Sequence, residues 1–405
     1  MIERIIEKKL YAELANNSII TIIGARQVGK TTLLNKLKKH LFDKNKVVNL
    51  FTLEDKFLLS DLNHHPKNIF NYIETDVKKQ FLLIDEIQYL DDPSNFLKYI
   101  YDLYKDKIKL IVTGSSAFYI DKKYKDSLAG RKKLIYISPF SFSEFLLAKD
   151  EIKLSKKINS FAYFDKHRKR KLLKPEKDKI YHYLNEYFIY GGYPKVVIEK
   201  TKDDKKEYLK ELHLSFLQKD IFEAGIKKEL KFYDLIKILS NQSGDLLNTA
   251  ELSNTLNLSR DAVENYLYIL EKSFIIKRVN PFYSNIRKEL TKMPKIYFLD
   301  TGYRNSLLNS FETIENRIDK GQSFETFLFN EINKLKPDTI NYWRTKDKNE
   351  VDFIVNKKLA FEAKFNPRKF NIKKYKTFLK LYNNIPLNCV SYFADDTLNI
   401  IDFLS

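Results

Sequence analysis

Residues 24–31 read Gly-Ala-Arg-Gln-Val-Gly-Lys-Thr and match the phosphate-binding loop pattern G-x-x-x-x-G-K-[ST] without a mismatch. The apolar run 19–23 before the loop predicts a buried strand, and residues 32–37 after it predict the start of a helix. In that setting, backbone N–H groups at the helix N-terminus face the β-phosphate, Lys30 reaches the β- and γ-phosphate oxygens, and the Thr31 hydroxyl binds Mg²⁺. A chance match is the alternative, and it is rare in a chain with 10 Gly in 405 residues. The predicted ATP-binding residues are Gly24, Ala25, Arg26, Gln27, Val28, Gly29, Lys30, Thr31 and Thr32.

A second apolar strand, residues 81–84, ends in Asp85 and Glu86. In P-loop NTPases an Asp at this place holds the Mg²⁺, and an adjacent Glu can polarise the attacking water. An apolar run that ends in two acids is by itself an ordinary strand end. Downstream of a phosphate-binding loop, however, it favours ATP hydrolysis, with Asp85 as a second metal ligand beside Thr31 and Glu86 as a catalytic residue.

Two further positions are candidates for contacts with the γ-phosphate. The predicted strand 109–113 is followed by Gly114, Ser115 and Ser116, and Ser115 is the favoured polar sensor of the γ-phosphate, with Ser116 second. A turn with helix-capping serines is the alternative. Arg131 follows in Leu-Ala-Gly-Arg (128–131), where it is either a finger for the nucleotide of a neighbouring subunit or a solvated loop charge. The first interpretation predicts a homo-oligomer.

Length and composition limit the class of protein. A chain of 405 residues suggests about two to three domains. No run approaches the 18 apolar residues of a transmembrane helix, and the first residues lack the apolar centre of a signal peptide. The single cysteine, Cys389, excludes an intrachain disulfide and a cysteine-cluster metal site. We therefore expect a cytoplasmic protein without a membrane partner.

The chain carries a formal net charge of +19, with an isoelectric point near 9.4. Such an excess favours a polyanionic partner, which makes nucleic acid the expected one. The alternative is a generic solvated surface, because Lys, Asn, Ile, Tyr and Phe are abundant together. The densest basic run, residues 166–171, lies in a polar stretch between 150 and 180 that resembles a linker or an insertion.

The chain divides into four predicted parts. Residues 1–147 alternate apolar strands with helical periods, which indicates an α/β domain with a parallel sheet. Residues 148–230 are mostly helical in period and contain the break Gly-Gly-Tyr-Pro at 191–194. Residues 231–300 resemble a winged helix, and residues 301–405 form the last part.

The winged-helix prediction depends on three helices and two strands. The helices run over 232–241, after Asn248 as N-cap, and over 260–272 after Ser259 as N-cap, while 274–279 and 295–299 are candidate wing strands. If this segment reads DNA, its third helix enters the major groove, and Arg260 and Asn265 are the expected contacts. The alternative is a helical trio that packs against the ATPase, because the third helix also carries acidic residues.

The last part contains a predicted hairpin. Residues 350–355 and 359–364 are alternating strands, and the polar link 356–358 centres the hairpin on Lys357. That register places Asp352 opposite Glu362 and Glu350 opposite Lys364, so all four side chains share one face. The other face, which must be core, is formed by Val351, Phe353, Phe361 and Ala363.

Two carboxylates and a lysine on one patch are the parts of a metal-dependent phosphodiesterase. Asp352 and Glu362 would bind Mg²⁺ as hard oxygen ligands, and Lys364 would position or help to deprotonate water. Glu325, on the preceding helix, would add a ligand or a supporting contact. The alternative is a solvated hairpin face with a Glu350–Lys364 pair, which contributes little at a surface.

Short motifs along the chain resemble a known family. They are, in order, GARQVGKT (24–31), LED (53–55), LLIDEIQ (82–88), TGSSA (113–117), LAGR (128–131), SPFSFSEFL (138–146), GGYP (191–194), KIYFLDTG (295–302), EVDF (350–353) and FEAK (361–364). This order resembles the bacterial and archaeal AAA-type ATPases whose ATPase domain is followed by a domain of unknown function similar to PD-(D/E)XK nucleases. The resemblance covers nearly the whole chain, but residues 150–180 match no motif.

The resemblance implies a P-loop AAA-type parallel sheet, a helical and winged-helix middle, and an α/β restriction-endonuclease-like C-terminal domain. It assigns the nuclease positions to Asp352, Glu362 and Lys364. The resulting prediction is an ATP-dependent, Mg²⁺-requiring AAA-type protein that acts on nucleic acid, with DNA favoured over RNA. Two alternatives remain, namely an ATP-switched DNA-binding module with an inactive nuclease fold and a signalling or scaffold ATPase.

Overall fold

The computed structural model describes residues 2–74, 79–114, 128, 130–158, 172–216, 218, 224–283, 292–335, 338–393 and 398–404. The chain divides into two compact units. Unit 1 contains residues 3–138 together with 272–274, and unit 2 contains residues 139–271 and 275–405 together with Ile2. The basic run 166–171 lies outside the described residues.

Unit 1 is built on a five-stranded parallel sheet. Its strands are β1 (Ile19–Ile23), β2 (Val47–Thr52), β3 (Gln80–Asp85), β4 (Ile108–Gly114) and β5 (Lys132–Tyr136), in the order β2-β3-β4-β1-β5. Every residue of β1, β3 and β4 is buried, as expected for central parallel strands covered on both faces. The predicted strands at 19–23, 81–84 and 109–113 are thereby confirmed.

Helices connect these strands. They are α1 (Ile6–Ala12), α2 (Lys30–Asp43), α3 (Lys56–His64) and α4 (Pro93–Tyr104), with short 3₁₀ turns at Pro66–Asn71 and Ile87–Tyr89. Helix α4 begins with Pro93 after Asp92, whose carboxylate accepts a hydrogen bond from the backbone N–H of Asn95 at 2.9 Å. Unit 1 therefore has the α/β fold that the phosphate-binding loop predicts.

Unit 2 begins with helices and ends with a mixed sheet. The helices are α5 (Phe142–Ala148), α6 (Ile152–Lys157), α7 (Lys174–Tyr190), α8 (Pro194–Ile198), α9 (Lys202–Phe216), α10 (Glu229–Asn241), α11 (Thr249–Leu256), α12 (Arg260–Lys272), α13 (Thr301–Leu307), α14 (Lys320–Lys334), α15 (Lys376–Leu381) and α16 (Ile400–Leu404). Short 3₁₀ turns lie at Ile314–Asn316, Pro367–Lys369 and Ile372–Tyr375.

The middle of unit 2 contains the three predicted helices, α10 to α12, and an antiparallel pair of strands, β6 (Ile276–Val279) and β7 (Lys295–Phe298). The N-caps are as predicted, because Asn248 accepts from the backbone of Glu251 at 3.3 Å and Ser259 from that of Ala262 at 3.2 Å. Strand β6 begins at Ile276 rather than at 274, since Phe274 adopts a left-handed backbone with φ 58°.

The mixed sheet contains β8 (Ile340–Arg344), β9 (Glu350–Val355), β10 (Leu359–Lys364), β11 (Leu387–Ser391) and β12 (Leu398–Asn399), in the order β12-β11-β10-β9-β8. Strands β9 and β10 form the predicted hairpin. Leu359 lies opposite Val355 and Phe361 opposite Phe353, so the centre at Lys357 is confirmed. Beyond the hairpin, β10 pairs with β11 in parallel.

One apolar cluster, which we call the shared core, runs through unit 2. It includes Phe145 of α5, Tyr187 of α7, Phe327 of α14, Phe361 of β10 and Leu404 of α16. The shared core thus contains residues from before position 148 to the last helix, and it crosses the predicted boundary at 301. The division of this unit into three domains stays a prediction. Within the described part of the chain, no helix has both the length and the apolar character needed to span a membrane.

Candidate nucleotide site and carboxylate cluster

The phosphate-binding loop connects β1 to α2. Gln27 and Gly29 have positive φ values of 61° and 95°, and the helix starts directly after Gly29 at Lys30. A Cβ atom at Gly24 would lie 2.1 Å from the carbonyl oxygen of Ile137, so only glycine fits there. The loop backbone is therefore fixed in a shape that leaves its first glycine without room for a side chain.

Lys30 is buried at the base of this loop. Its ammonium donates hydrogen bonds to the carbonyl oxygens of Gly24 at 3.1 Å and Ala25 at 2.9 Å. A positive charge that is held by carbonyl groups in a buried loop is ready to exchange them for phosphate oxygens. This is the role that the sequence assigns to Lys30.

Asp85, at the end of β3, lies beside the first turn of α2. The Thr31 hydroxyl donates to Asp85 Oδ2 at 2.6 Å, which brings the two predicted Mg²⁺ ligands together. On its other side, Asp85 Oδ1 accepts from the hydroxyl of Thr113 at the end of β4. Adjacent parallel strands carry these groups to one edge of the sheet, where ligands of open α/β sheets bind.

Glu86 follows directly and adopts a left-handed backbone with φ 57°. Its backbone N–H donates to the Thr113 hydroxyl oxygen at 3.0 Å, and its carboxylate accepts from the side-chain amide of Gln88. Thr113 thus holds both acids. No role was predicted for Thr113, although a polar residue near the end of a buried strand is a signal that points to the site.

Arg4 also contacts this region without having been predicted. Its buried guanidinium donates to the carbonyl oxygen of Val28 in the loop at 3.0 Å and to that of Ser138 at 2.6 Å. Because Val28 belongs to the phosphate-binding loop, Arg4 ties the loop to the residue that follows the sheet. No local motif around position 4 signals this contact.

The structure does not place the other predicted site residues of unit 1 at the phosphate-binding loop. Ser115 and Ser116 lie outside the described residues. Arg131 forms an ion pair with Asp102 of the same chain, with 2.9 Å between Nε and Oδ1, and both side chains are about a third exposed. The finger contributed to a neighbouring subunit stays a prediction.

The residues of the loop fit ATP and Mg²⁺. Thr31 and Asp85 supply a hydroxyl and a carboxylate, which are the hard oxygen donors that Mg²⁺ prefers, and Lys30 supplies the charge for phosphate oxygens. Residues Gly24 to Gly29 supply the backbone N–H groups for the phosphates. This backbone packs closely against its surroundings, because a Cβ atom at Gly24 would overlap the carbonyl oxygen of Ile137.

The predicted face of the hairpin in unit 2 is a buried carboxylate cluster. We use this name for Glu325, Glu350, Asp352 and Glu362 together with Lys295 and Lys364. Asp352 and Glu362 are buried, and Lys364 forms an ion pair with Glu362 Oε1. The alternative of a solvated hairpin face is therefore wrong for Asp352 and Glu362, while Glu350 and Lys364 are partly exposed.

The cluster contains a residue that the sequence analysis did not assign, Lys295 of β7. Its ammonium lies 2.9 Å from Glu325 Oε1, 2.5 Å from Glu350 Oε1 and 3.4 Å from Asp352 Oδ1. Glu350 pairs with Lys295 and with Arg344, at 2.7 Å, and Lys364 pairs with Glu362. Glu350 and Lys364, which the alternative interpretation paired with each other, therefore have different partners.

Burial shapes the protonation of the cluster. Burial and the neighbouring Asp352 carboxylate raise the pKa of Glu325 to about 7 and that of Glu362 to about 8. Burial alone would lower the pKa of Lys295, but the carboxylates around it, with Glu325 first, raise that pKa well above the ordinary value. Lys295 therefore remains protonated at neutral pH.

The four apolar residues of the hairpin's other face are all buried, as predicted. Phe353, Phe361 and Ala363 belong to the shared core. Val351 instead packs in a second cluster with Trp343, so the prediction of one common face does not hold for Val351; the register between β9 and β8 is irregular beside it, between Asn341 and Trp343.

The predicted DNA-contact residues lie on the exposed side of α12. Arg260 and Asn265 are exposed, while Glu264 of the same helix forms an ion pair with Arg278 of β6 at 2.7 Å. Arg278 also pairs with Glu271 at 2.7 Å. The acids that argued against a DNA-reading helix are thus partly neutralised within the unit.

Three family models match the chain. Residues 16–146 match an AAA domain, and residues 181–313 and 320–404 match two domains of unknown function, DUF8612 and DUF4143. The AAA match covers most of unit 1 and extends to residue 146, and the other two matches lie within unit 2. They assign no activity to unit 2.

The chain is similar to two proteins that are described as uncharacterized. One from Methanocaldococcus jannaschii is 26% identical over 406 residues, which cover 96% of this chain and 85% of that protein. One from Mycobacterium tuberculosis is 24% identical over 368 residues, which cover 89% and 71%. The structure of AMPPCP-bound DnaA from Aquifex aeolicus is 16% identical, covers 67% of this chain and 89% of that chain, and has a TM-score of 0.31.

Unit 1 can be classified from these observations together. It has a five-stranded parallel sheet, a phosphate-binding loop between β1 and α2, and an acidic pair at the end of β3. The AAA match covers that same region. Residues 16–146 are therefore a P-loop AAA-type domain.

Proposed function

We propose that this protein is a Mg²⁺-dependent ATPase that acts on nucleic acid, with DNA favoured over RNA. The observation that carries the ATPase assignment is the 2.6 Å hydrogen bond between Thr31 and Asp85 beside the buried Lys30. A hydroxyl, a carboxylate and an ammonium on adjoining strand and helix ends are what a nucleoside triphosphate and its metal require.

Each residue has a distinct task in hydrolysis. Thr31 and Asp85 would hold the Mg²⁺, which neutralises charge on the phosphates when bound. Lys30 binds and orients the β- and γ-phosphates. Glu86 polarises the attacking water, and Thr113 keeps its backbone and the Asp85 carboxylate in place.

Nucleic-acid binding is supported by charge and by the middle of unit 2. The net charge of +19 favours a polyanion. Three helices followed by an antiparallel pair of strands are the parts of a winged helix, and Arg260 and Asn265 are exposed on the third helix. A helix fits the major groove of B-DNA but not the narrow one of A-form RNA, which favours DNA.

A second candidate function is an ATP-switched DNA-binding module whose nuclease-like fold does not cut. It is favoured by Lys295, which lies within the carboxylate cluster and pairs with Asp352 and Glu350. Cleavage of DNA would require Asp352 and Glu362 to bind a metal ion, but Asp352 is paired with Lys295. A protein that binds no DNA would instead match the signalling or scaffold alternative.

The ATPase assignment is tested by phosphate release with and without duplex DNA. Lys30→Ala should lose nucleotide binding or turnover, because no charge then meets the phosphates. Glu86→Gln should still bind a fluorescent ATP analogue but lose turnover, since the two oxygen donors for Mg²⁺ remain. Full turnover in Glu86→Gln would remove that residue from the mechanism.

DNA binding is tested separately by the salt dependence of the affinity for duplex DNA. Arg260→Ala should weaken binding, whereas Lys380→Ala, an equal change of charge on α15, should change it little. Binding that does not fall as salt rises would exclude phosphate contacts as the source of affinity. No binding by the wild type would leave the scaffold ATPase.

A further inference from the structure

The carboxylate cluster of unit 2 already contains a cation. The ammonium of Lys295 contacts carboxylates from two different elements, Glu325 of α14 and both Glu350 and Asp352 of β9, at 2.5 to 3.4 Å. Lys295 is almost completely buried. The ammonium thus lies among three carboxylates, one of which, Asp352, is a predicted metal ligand.

The two predicted metal ligands have no oxygen left outside the fold's own bonds. Asp352 uses Oδ1 for Lys295 and Oδ2 to accept the backbone N–H of Ala363 at 2.9 Å. Glu362 uses Oε1 for Lys364 and Oε2 for the backbone N–H of Asp352 at 3.4 Å. Both carboxylates are therefore part of a closed network of hydrogen bonds.

A divalent metal does not fit this arrangement. Mg²⁺ needs oxygen ligands at about 2.0–2.1 Å in near-octahedral geometry, and a second cation beside the buried ammonium would meet its charge at close range. Among the described residues, no group of three or more His, Cys, Asp or Glu side chains is arranged to hold a metal ion. The residues present thus disagree with the metal site that the family resemblance implies.

We propose that the ammonium of Lys295 is the resident cation of the carboxylate cluster, in the place of a divalent metal, so that the hairpin site takes no metal ion. The inference goes beyond the proposed ATPase, because it concerns a cation site in the other compact unit. It depends on neither nucleotide nor DNA, so it stands or fails separately from the proposed function.

The position of Lys295 is fixed by its strand. It begins β7, which pairs with β6, so that Lys295 lies opposite Val279. Two residues on, the hydroxyl of Tyr297 donates to the same Glu325 oxygen at 2.6 Å. Alternate residues of a strand point to one face, so β7 inserts an ammonium and a hydroxyl side by side. This cation is covalently attached and does not dissociate.

The repulsion between three neighbouring carboxylates explains why a cation stabilises this site. Without a positive charge, Glu325, Glu350 and Asp352 would bring like charges together in a buried site, which is strongly unfavourable. Lys295 neutralises part of that charge, and Arg344 pairs with the remaining oxygen of Glu350 at 2.7 Å. Removal of the Lys295 ammonium should therefore raise the affinity of the carboxylate cluster for another cation.

The test measures Mn²⁺ binding to the full-length, nucleotide-free protein from the electron paramagnetic resonance signal of free Mn²⁺. The variants form two pairs, wild type with Asp352→Asn and Lys295→Met with Lys295→Met/Asp352→Asn. The phosphate-binding loop is identical within a pair, so its contribution cancels.

Wild type and Asp352→Asn should bind equal amounts of Mn²⁺. Lys295→Met should bind one Mn²⁺ more than the double variant. The affinity of this additional site should be at least about tenfold higher than that of the other Mn²⁺ sites of Lys295→Met. Wild-type binding in excess of Asp352→Asn would overturn the proposal, as would folded Lys295→Met and double variants with equal binding. If Lys295→Met does not fold, the wild-type pair still decides, because only a resident metal site makes it differ.

Discussion

Thr113 offers a sharp test of how the acidic pair is held. This buried residue of β4 makes two hydrogen bonds through one hydroxyl, which donates to Asp85 Oδ1 and accepts from the backbone N–H of Glu86 at 3.0 Å. Thr113→Val keeps the shape and removes both bonds. The matched control is Thr21→Val on the adjacent β1, because the buried Thr21 hydroxyl has no hydrogen-bond partner among the described residues.

The expected cost follows from the two bonds. A hydrogen bond to an ionised carboxylate contributes about 1.5–3 kcal/mol, and a buried N–H left without a partner costs about 1–3 kcal/mol. Asp85 keeps its bond to Thr31, so values in the lower half of each range apply, and together they amount to about 2.5–4 kcal/mol. Thr21→Val loses no bond and should be neutral or slightly stabilising.

The assay combines thermal unfolding with phosphate release. At about 2–4 °C for each kcal/mol in a domain of this size, Thr113→Val should lower the melting temperature of unit 1 by roughly 5–16 °C relative to Thr21→Val. It should also lower kcat, because Glu86 and Asp85 lose their common support. Equal melting temperatures and equal kcat for the two variants would refute the reasoning.

Three further predictions concern other positions. If Arg131 acts on a neighbouring subunit's nucleotide, Arg131→Ala should lose ATP turnover while Asp102→Ala keeps it; equal losses would point to the ion pair alone. Gly24→Ala should lose nucleotide binding, because its Cβ would overlap a backbone carbonyl, whereas Gly321→Ala, with open space around it, should bind normally in the same titration. Burial lowers the pKa of His213 from 6.5 to about 4, so the unfolded chain takes up this proton first. The free energy of unfolding of unit 2 should then fall by up to about 3 kcal/mol as the pH drops from 6.5 to 4, and denaturant titrations should show a smaller fall in His213→Asn.

Local patterns were enough to predict the parts of the molecule that are contiguous in sequence. The strand–loop–helix around Lys30, the caps at Asn248 and Ser259, and the hairpin centred on Lys357 all depend on residues within a few positions of each other. In each case the side-chain period or the turn chemistry is decided locally. These predictions therefore needed no knowledge of the tertiary fold.

The partners that complete the two sites come from distant strands. Thr113 reaches Asp85 from the next strand of the sheet, and Lys295 reaches Asp352 across 57 positions of sequence. Pairing of this kind is decided by sheet order and by packing of the shared core. A strand over residues 295–299 places Lys295 and Tyr297 on one face, but nothing in the local sequence indicates that Glu325 lies beside them.

The shared core has a consequence for the order of events during synthesis. Unit 1 is built almost entirely from residues 3–138, so its sheet can close while the rest of the chain is still being made. The shared core joins Phe140 to Leu404, and residues 140–158 can bury their apolar side chains fully only after residues 400–404 have left the ribosome. At elongation rates of about 5–20 residues per second, that interval is roughly 13 to 53 seconds. During it the early helices of unit 2 expose apolar surface, which makes them the segment of the nascent chain that chaperones should bind.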